Sequence, residues 1–451
     1  MERQPREGIG RSPTDAAGAG TERRLAAWRQ AVTGNVLNLG LVSLFTDLSS
    51  EMMNPLLPVF ISGLLAPGPD VAARTALFVG LLEGIAETTS SLLKIAAGSW
   101  SDRLGRRKTL VAFGYGFSSL CRPLMAIAQS AWHAVALKFL DRVGKGIRTS
   151  PRDALIGDSV AAEHRGLAFS LHRAMDHTGA IVGPLAALAL LQLLLGRTMW
   201  HGSASVPTPA EMRALRWLFA LALFPGVGAM AVILWRVREA GARAPAARAE
   251  AGAAPAAARP LPGRFRAFVG IAALFALGNS SDLFIVFLGR ARFGFSLVHL
   301  VGLWIALHVA KVAFSLPGGI ISDRVGRRPV IVAGWLVYAA IYLGLAATRT
   351  AHGFVALVIA YGFYHGMTEG VEKALVADFA PPERRGTAFG IYHGAVGLAA
   401  LPASLLFGVV WRLYGPALAF GLGATLAAVA TLLLVLLLVS AGGVPASEDG
   451  R

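Results

Sequence analysis

The 451-residue chain contains one cysteine, Cys121, so it can form no intrachain disulfide and no multi-cysteine metal site. Cys121 stands in an apolar run and reads as a small buried hydrophobe. Charged residues are scarce, at 15% against about 25% in a soluble globular chain. Acidic residues are the scarcer sign, 26 against 42 Lys and Arg, for a net +16. There is no Walker loop, no HExxH, no GxSxG elbow between strand and helix, and no dinucleotide fingerprint after a strand. Their absence argues against an ATP-driven engine and the common hydrolases and dehydrogenases. No enzyme activity, metal or cofactor is expected. Residues 1–34 are polar and Arg-rich and have no short apolar stretch ending in a cleavage site, so the first span is expected to remain as an uncleaved anchor.

What the chain does have is apolar sequence, at 55% hydrophobic residues. A bilayer core needs about 20 apolar residues per helix. Helical spans are predicted near 36–61, 75–98, 109–128, 132–156, 167–195, 214–235, 267–288, 297–320, 329–347, 353–376, 387–411 and 416–440. The expected fold is an all-α polytopic membrane protein with twelve transmembrane helices in two pseudo-symmetric six-helix bundles. Residues 1–34 form a tail, 35–235 the first bundle, 236–266 a flexible basic linker, 267–440 the second bundle and 441–451 a second tail. The linker assignment rests on composition, because Ala240–Arg259 has almost no large apolar residue to bury.

The two halves repeat. SDRLGRRKTLVAFG from Ser101 matches SDRVGRRPVIVAG from Ser322, and DALIGDSVAAEHRGLAFS from Asp153 matches KALVADFAPPERRGTAFG from Lys373. Parallel repeats of a six-helix unit place a substrate site at their interface, near the bilayer midplane. The basic excess lies in the tail, the linker and both SDR loops, which all fall on one side. Positive-inside puts that side, and both termini, in the cytoplasm of a plasma (inner) membrane. The net charge then reports topology, and no nucleic-acid partner is needed to explain it.

The segment Gly98-Ser-Trp-Ser-Asp102-Arg103-Leu-Gly105-Arg106-Arg107 resembles the signature loop of the major facilitator superfamily, and it recurs at Gly319, Asp323, Arg324, Gly326, Arg327 and Arg328. The resemblance covers about Asn35 to Ser440. It implies a secondary transporter, and a loop that acts as a latch whose Asp engages the other half when the cytoplasmic side is closed. The alternative role is a topology determinant only. Gly105 and Gly326 suit a tight turn, and the Asp can pair with a nearby Arg or face a helix N-terminus. Arg142-Val-Gly-Lys-Gly146 resembles a family element whose Arg is linked to proton transfer. Gly179-Ala-Ile-Val-Gly183-Pro184 resembles an element of antiport exporters, with small residues four apart for close helix packing. The stretches SLFTDLSSEMMNPLLP from Ser43 and GKGIRTSPRDALIGD from Gly144 resemble a little-characterised prokaryotic subgroup, which implies no particular substrate.

Ionisable residues within the spans are costly and each needs a partner, a cavity or a function. Asp47 with Glu51, and Glu83 with Glu87, are four apart, and close carboxyls do not easily both ionise. They read as proton-coupling candidates or as partners of Arg122, Lys138, Arg142, Arg173 or Lys311. Lys94 is expected to snorkel. Arg148 and Arg152 are expected to meet Asp158 or Glu163, or else to present a cationic patch to an anion. His172, Arg173, Asp176 and His177 form a polar start to span five, with Asp176 and His177 a candidate relay. Glu369 could pair with Lys373, and Asp282 is a cavity candidate. The expected partners are a small-molecule substrate, protons and the lipid bilayer, with the chain a monomer. A transporter-like sensor or lipid-handling protein is the reading from another class.

Overall fold

The computed structural model describes residues 34–66, 68, 70–196, 207–239, 260–279, 282–295 and 297–442. Among them there is no strand. The helices are α1 (Gly34–Glu51), α2 (Leu57–Leu64), α3 (Val71–Leu104), α4 (Arg107–Leu124), α5 (Ala131–Asp158), α6 (Arg165–Leu195), α7 (Pro209–Leu221), α8 (Leu223–Trp235), α9 (Gly263–Gly278), α10 (Asp282–Phe293), α11 (Leu297–Val325), α12 (Arg327–Ala347), α13 (Ala351–Phe379), α14 (Arg385–Tyr414) and α15 (Pro416–Gly442). The pairs α1/α2, α7/α8 and α9/α10 each make one interrupted span, which gives the twelve expected.

The interruptions have local causes. Span one, predicted as continuous, breaks into a 3₁₀ turn at Asn54–Leu56, where Pro55 offers no backbone N–H. Span six starts earlier than predicted, at a capping box in which Thr208 and Glu211 bond each other's backbone N–H. It breaks at Ala222, three residues before Pro225, and the Ser49 hydroxyl takes up the Ala222 carbonyl at 2.8 Å. Among the described residues, seven helices are long and apolar enough to cross a membrane. α5 is not one of them, because it carries ionisable residues from Lys138 to Asp153 and folds with that face inward. Large apolar side chains such as Trp132, Leu193, Trp217 and Trp235 point outward, as a lipid solvent permits.

The ends of the segment read as a linker are docked. Glu239 accepts the Arg107 and Lys108 backbone N–H groups at 2.8 and 2.9 Å, capping α4, and Asn35 accepts the Arg238 N–H at 2.8 Å. The second half begins at Gly263, inside the predicted linker, while residues 240–259 lie outside the described residues.

The halves meet chiefly where α3 packs on α14 and where α6 packs on α11 and α13. These crossings are backbone to backbone. A Cβ on Gly98 would stand 2.2 Å from the Gly386 carbonyl oxygen, and one on Gly319 would stand 2.6 Å from that of Gly166. Gly179 and Gly183 lie where α6 packs on α1, within the first half: a Cβ on Gly179 would stand 2.5 Å from the Leu44 carbonyl oxygen, and one on Gly183 2.8 Å from the Glu51 Cβ. Pro184 lies inside α6 beside them.

Candidate functional site

At one end of the molecule the two signature loops close on the opposite half. Asp102, in the last turn of α3, accepts the N–H groups of Gly386 and Thr387 at 2.9 and 2.6 Å and the Thr387 hydroxyl at 2.7 Å. Asp323 does the same for Gly166 and Leu167, at 3.0 and 2.8 Å. Each carboxylate thus sits on the positive N-terminus of a helix from the other half. Arg385 bonds Asp158 at 2.5 Å, and its repeat-mate Arg165 bonds Asp378 at 2.6 Å.

The loop arginines divide into exposed and inward-facing positions. Arg103, Arg106, Arg324 and Arg328 are exposed, and the contacts are made by Arg107 and Arg327. Arg107 reaches Asp158 at 3.0 Å and Asp102 at 3.4 Å, while Arg327 pairs with Asp323 and reaches Asp378 at 3.3 Å. By sequence Arg327 matches Arg106. The structure uses a different register because each is the first residue of its helix, α4 starting at Arg107 and α12 at Arg327. Gly105 is left-handed at φ 62° and ends α3; Gly326 lies at φ 95°.

Between the halves lies a cavity of about 320 Å³, walled by α1, α3, α5 and α6 on one side and α9, α12, α13 and α14 on the other. Arg173 crosses it. Its guanidinium pairs with Asp176 on its own helix and with Glu369 of α13 at 2.6 Å. Glu369 also meets His177 and His365, each at 2.9 Å. Asp176 further accepts the Ser43 hydroxyl and lies against the Asp47 carboxyl. The expected Asp176–His177 relay is therefore replaced by a bridge in which Arg173 stands between the two carboxylates and His177 faces Glu369.

A second cluster sits where the repeats coincide. Asp153 and Lys373 occupy matching positions in the two halves yet carry opposite charge, and they bond at 3.0 Å. Residues at equivalent positions meet on a pseudo-two-fold axis, so opposite charges make a pair there where like charges would repel. Asp153, fully buried, also holds Arg152 at 2.8 Å and His393 at 2.8 Å. Lys373 consequently does not pair with Glu369, and Arg152 does not reach Asp158 or Glu163. Removing Asp153 strands buried cations, which costs about 3–5 kcal/mol. Asp153→Asn is thus expected to lower the thermal unfolding midpoint in detergent more than Lys373→Met does; equal effects would count against this arrangement.

Other predicted residues are placed elsewhere. Arg122 bonds Asp141 at 3.0 Å inside the first half, with Arg142 4.0 Å from the same carboxylate. Glu51 acts on Asp47 but is not among the residues that line the cavity. α1 ends there, and Glu51 accepts the Asn54 amide at 2.9 Å. Asp282, expected in the cavity, pairs with Lys311 at 3.4 Å and accepts the Tyr361 hydroxyl at 2.7 Å within the second half. Glu87 holds Lys94 at 3.4 Å, so Lys94 lines the cavity instead of snorkelling. His172 is fully buried behind the cavity wall. The side chain of Glu83 lies outside the described residues.

Several lining residues escaped the sequence reading. Glu372 accepts the Trp335 indole N–H at 2.8 Å and the Tyr392 hydroxyl at 2.7 Å. Lys145, His365 and His393 also line the cavity. Lys145 and Glu372 each sit three residues beyond a residue singled out, Arg142 and Glu369, so helical periodicity could have found them.

Two helical halves that close at one end through paired repeats, over a central charged cavity, define a membrane carrier. The chain belongs to the major facilitator superfamily, whose family model matches residues 39–310 and 298–450. An uncharacterized MFS-type transporter of Methanocaldococcus jannaschii is 32% identical over 406 residues, covering 89% of this chain and 94% of that one. Multidrug resistance protein MdtH of Yersinia pestis is 31% identical over 149 residues only, 33% of this chain and 36% of that one. Among solved structures, the human organic anion transporter MFSD10 shares the fold at TM-score 0.71 and 18% identity, covering 89% of this chain and 99% of that chain. The chain is a transporter of this superfamily and a multi-pass membrane protein.

Proposed function

We propose that the protein exports a small molecule in exchange for protons, by alternating access, with both termini and the signature loops on the cytoplasmic side of the plasma membrane. The observation that carries this reading is the Arg173 bridge between Asp176 and Glu369, with Asp47 beside Asp176. A proton on Glu369 and a full ion pair with Arg173 exclude one another, so protonation weakens a link between the halves. Adjoining carboxyls such as Asp47 and Asp176 can hold a proton between them. Proton entry from the open side then loosens the cross-half bridge, and return of Arg173 expels the proton on the other side. The contacts of Asp102 and Asp323 support a latch role at the cytoplasmic end. The name of the partial relative MdtH is in keeping with export.

Flux of a compound selected by a thermal-shift screen, measured in proteoliposomes under pH gradients of either sign, tests the reading. Glu369→Gln and Asp176→Asn are expected to abolish gradient-driven accumulation and to leave exchange at equal pH. If Asp47→Asn, Asp176→Asn and Glu369→Gln all keep the wild-type pH dependence, proton coupling through this site is wrong. Import or uniport of a polar or anionic metabolite is the second reading, favoured by Lys145 and Arg148, which line the cavity and make no ion pair among the described residues. The sign of the gradient that drives accumulation separates the two.

A further inference from the structure

The cations of the cavity fall into two groups. Lys94, Arg152, Arg173 and Lys373 each hold a carboxylate. Lys145 and Arg148, three residues apart on α5, make no direct ion pair among the described residues; Glu87 and Asp47 act on Lys145, and Asp141 on Arg148, from beyond contact distance. Arg148 is 4% exposed. One Nη donates to the Ser118 hydroxyl at 2.9 Å, the guanidinium lies over the Tyr115 ring at 4.2 Å, and Nε has no protein partner. A buried cation with no anion in direct contact is costly, and an anion that binds against it offsets that cost. The second half of the cavity wall is different in kind. Phe275, Trp335, Tyr364 and Tyr392 line it, and the first two rings stack at 4.2 Å. Of the other lining carboxyls, Glu372 is engaged by Trp335 and Tyr392, and Asp47 lies against Asp176 with Lys145 acting on it from beyond contact distance.

We propose that the transported compound is a small organic anion with a planar apolar body. Its carboxylate, sulfonate or phosphonate head sits between Lys145 and Arg148, and its body lies against the Phe275–Trp335 pair. The volume of about 320 Å³ stands at the small end of ligand sites. The inference rests on the reading of this cavity as the transport site.

The test is isothermal titration of the purified full-length protein with 1-naphthoate, naphthalene-1-sulfonate, 1-naphthylphosphonate, 1-naphthamide, 1-naphthylmethylamine and inorganic phosphate. At least one aromatic anion is expected to bind saturably, with the amide, the amine and phosphate at least tenfold weaker. Lys145→Gln and Arg148→Gln are each expected to weaken that anion about tenfold, with Lys145→Arg recovering part of the loss. Arg148 packs on Tyr115, so if its variant does not fold, Lys145→Gln decides. The proposal is overturned if none of the three anions saturates, if the amine binds best, if phosphate binds as tightly as the aromatic anions, or if Lys145→Gln binds like wild type. Anion binding without proton-driven flux would remove the proposed function and keep this inference; proton-driven flux of a cation with no anion binding would do the reverse.

Discussion

Arg173→Gln is expected to abolish proton-driven transport and to destabilise the protein by about 3–5 kcal/mol, the usual loss on removing one partner of a buried ion pair. The reason is geometric. Arg173 is the cation between Asp176 and Glu369, and its loss leaves two carboxylates facing each other across the interface between the halves. His177 and His365 also touch Glu369, but each is a hydrogen-bonding partner without a fixed charge. A second substitution distinguishes structure from coupling. Arg173→Gln with Glu369→Gln is expected to recover part of the thermal stability, because the stranded charge is gone, and none of the pH-gradient response. A double variant that regains proton-driven flux would show that the bridge is structural packing and that coupling lies elsewhere.

The second large effect is expected at the latch. Gly98→Val places a side chain where the Gly386 carbonyl oxygen would be 2.2 Å from its Cβ, a distance that neither backbone can yield without separating α3 from α14. The end closed by Asp102 and Asp323 should then stay open. The single native cysteine is buried, so its substitution by Ala followed by a new cysteine at Thr149, on the cavity wall, gives a clean reporter. In Gly98→Val, that cysteine should react at least tenfold faster with a bulky maleimide applied from the signature-loop side, and transport should fall by at least tenfold. Asp102→Asn should act in the same direction more weakly, since it keeps a hydrogen-bond acceptor and loses the charge on the α14 N-terminus. An unchanged labelling rate in Gly98→Val would mean that this glycine contact does not hold the end shut.

Much of the architecture was legible in the residues. Hydrophobic length and charge placement specify the number of spans, and the duplicated SDR loop with its matching offset specifies two related halves. Local signals fared worse where a span is broken. The Asn54-Pro55 step, Pro225 and the Gly278-Asn279 end of α9 interrupt helices that an apolar average reads as continuous. The loop arginines were legible as a group but not individually, because which of two neighbours turns inward depends on where the next helix begins.

The site was legible as a set of expensive residues and not as a set of pairs. Helical spacing put Asp47 and Glu51 close enough to act on one another, and they do, whereas Glu369 and Lys373, also within reach along one helix, do not pair. Asp47 turns to Asp176, Glu369 to Arg173, and Lys373 to Asp153. Local spacing limits a side chain to a face, and what that face meets is decided by helices more than a hundred residues away. Residue order is enough to show that the chain spans a membrane, that it is built twice, and which polar residues must be satisfied inside it. Which charges neutralise one another emerges with the packing of the helices. In a low-dielectric interior a cation that pairs takes the carboxylate that packing brings closest, and for Arg173 and Lys373 that choice belongs to the crossing of α5 and α6 with α13 and α14.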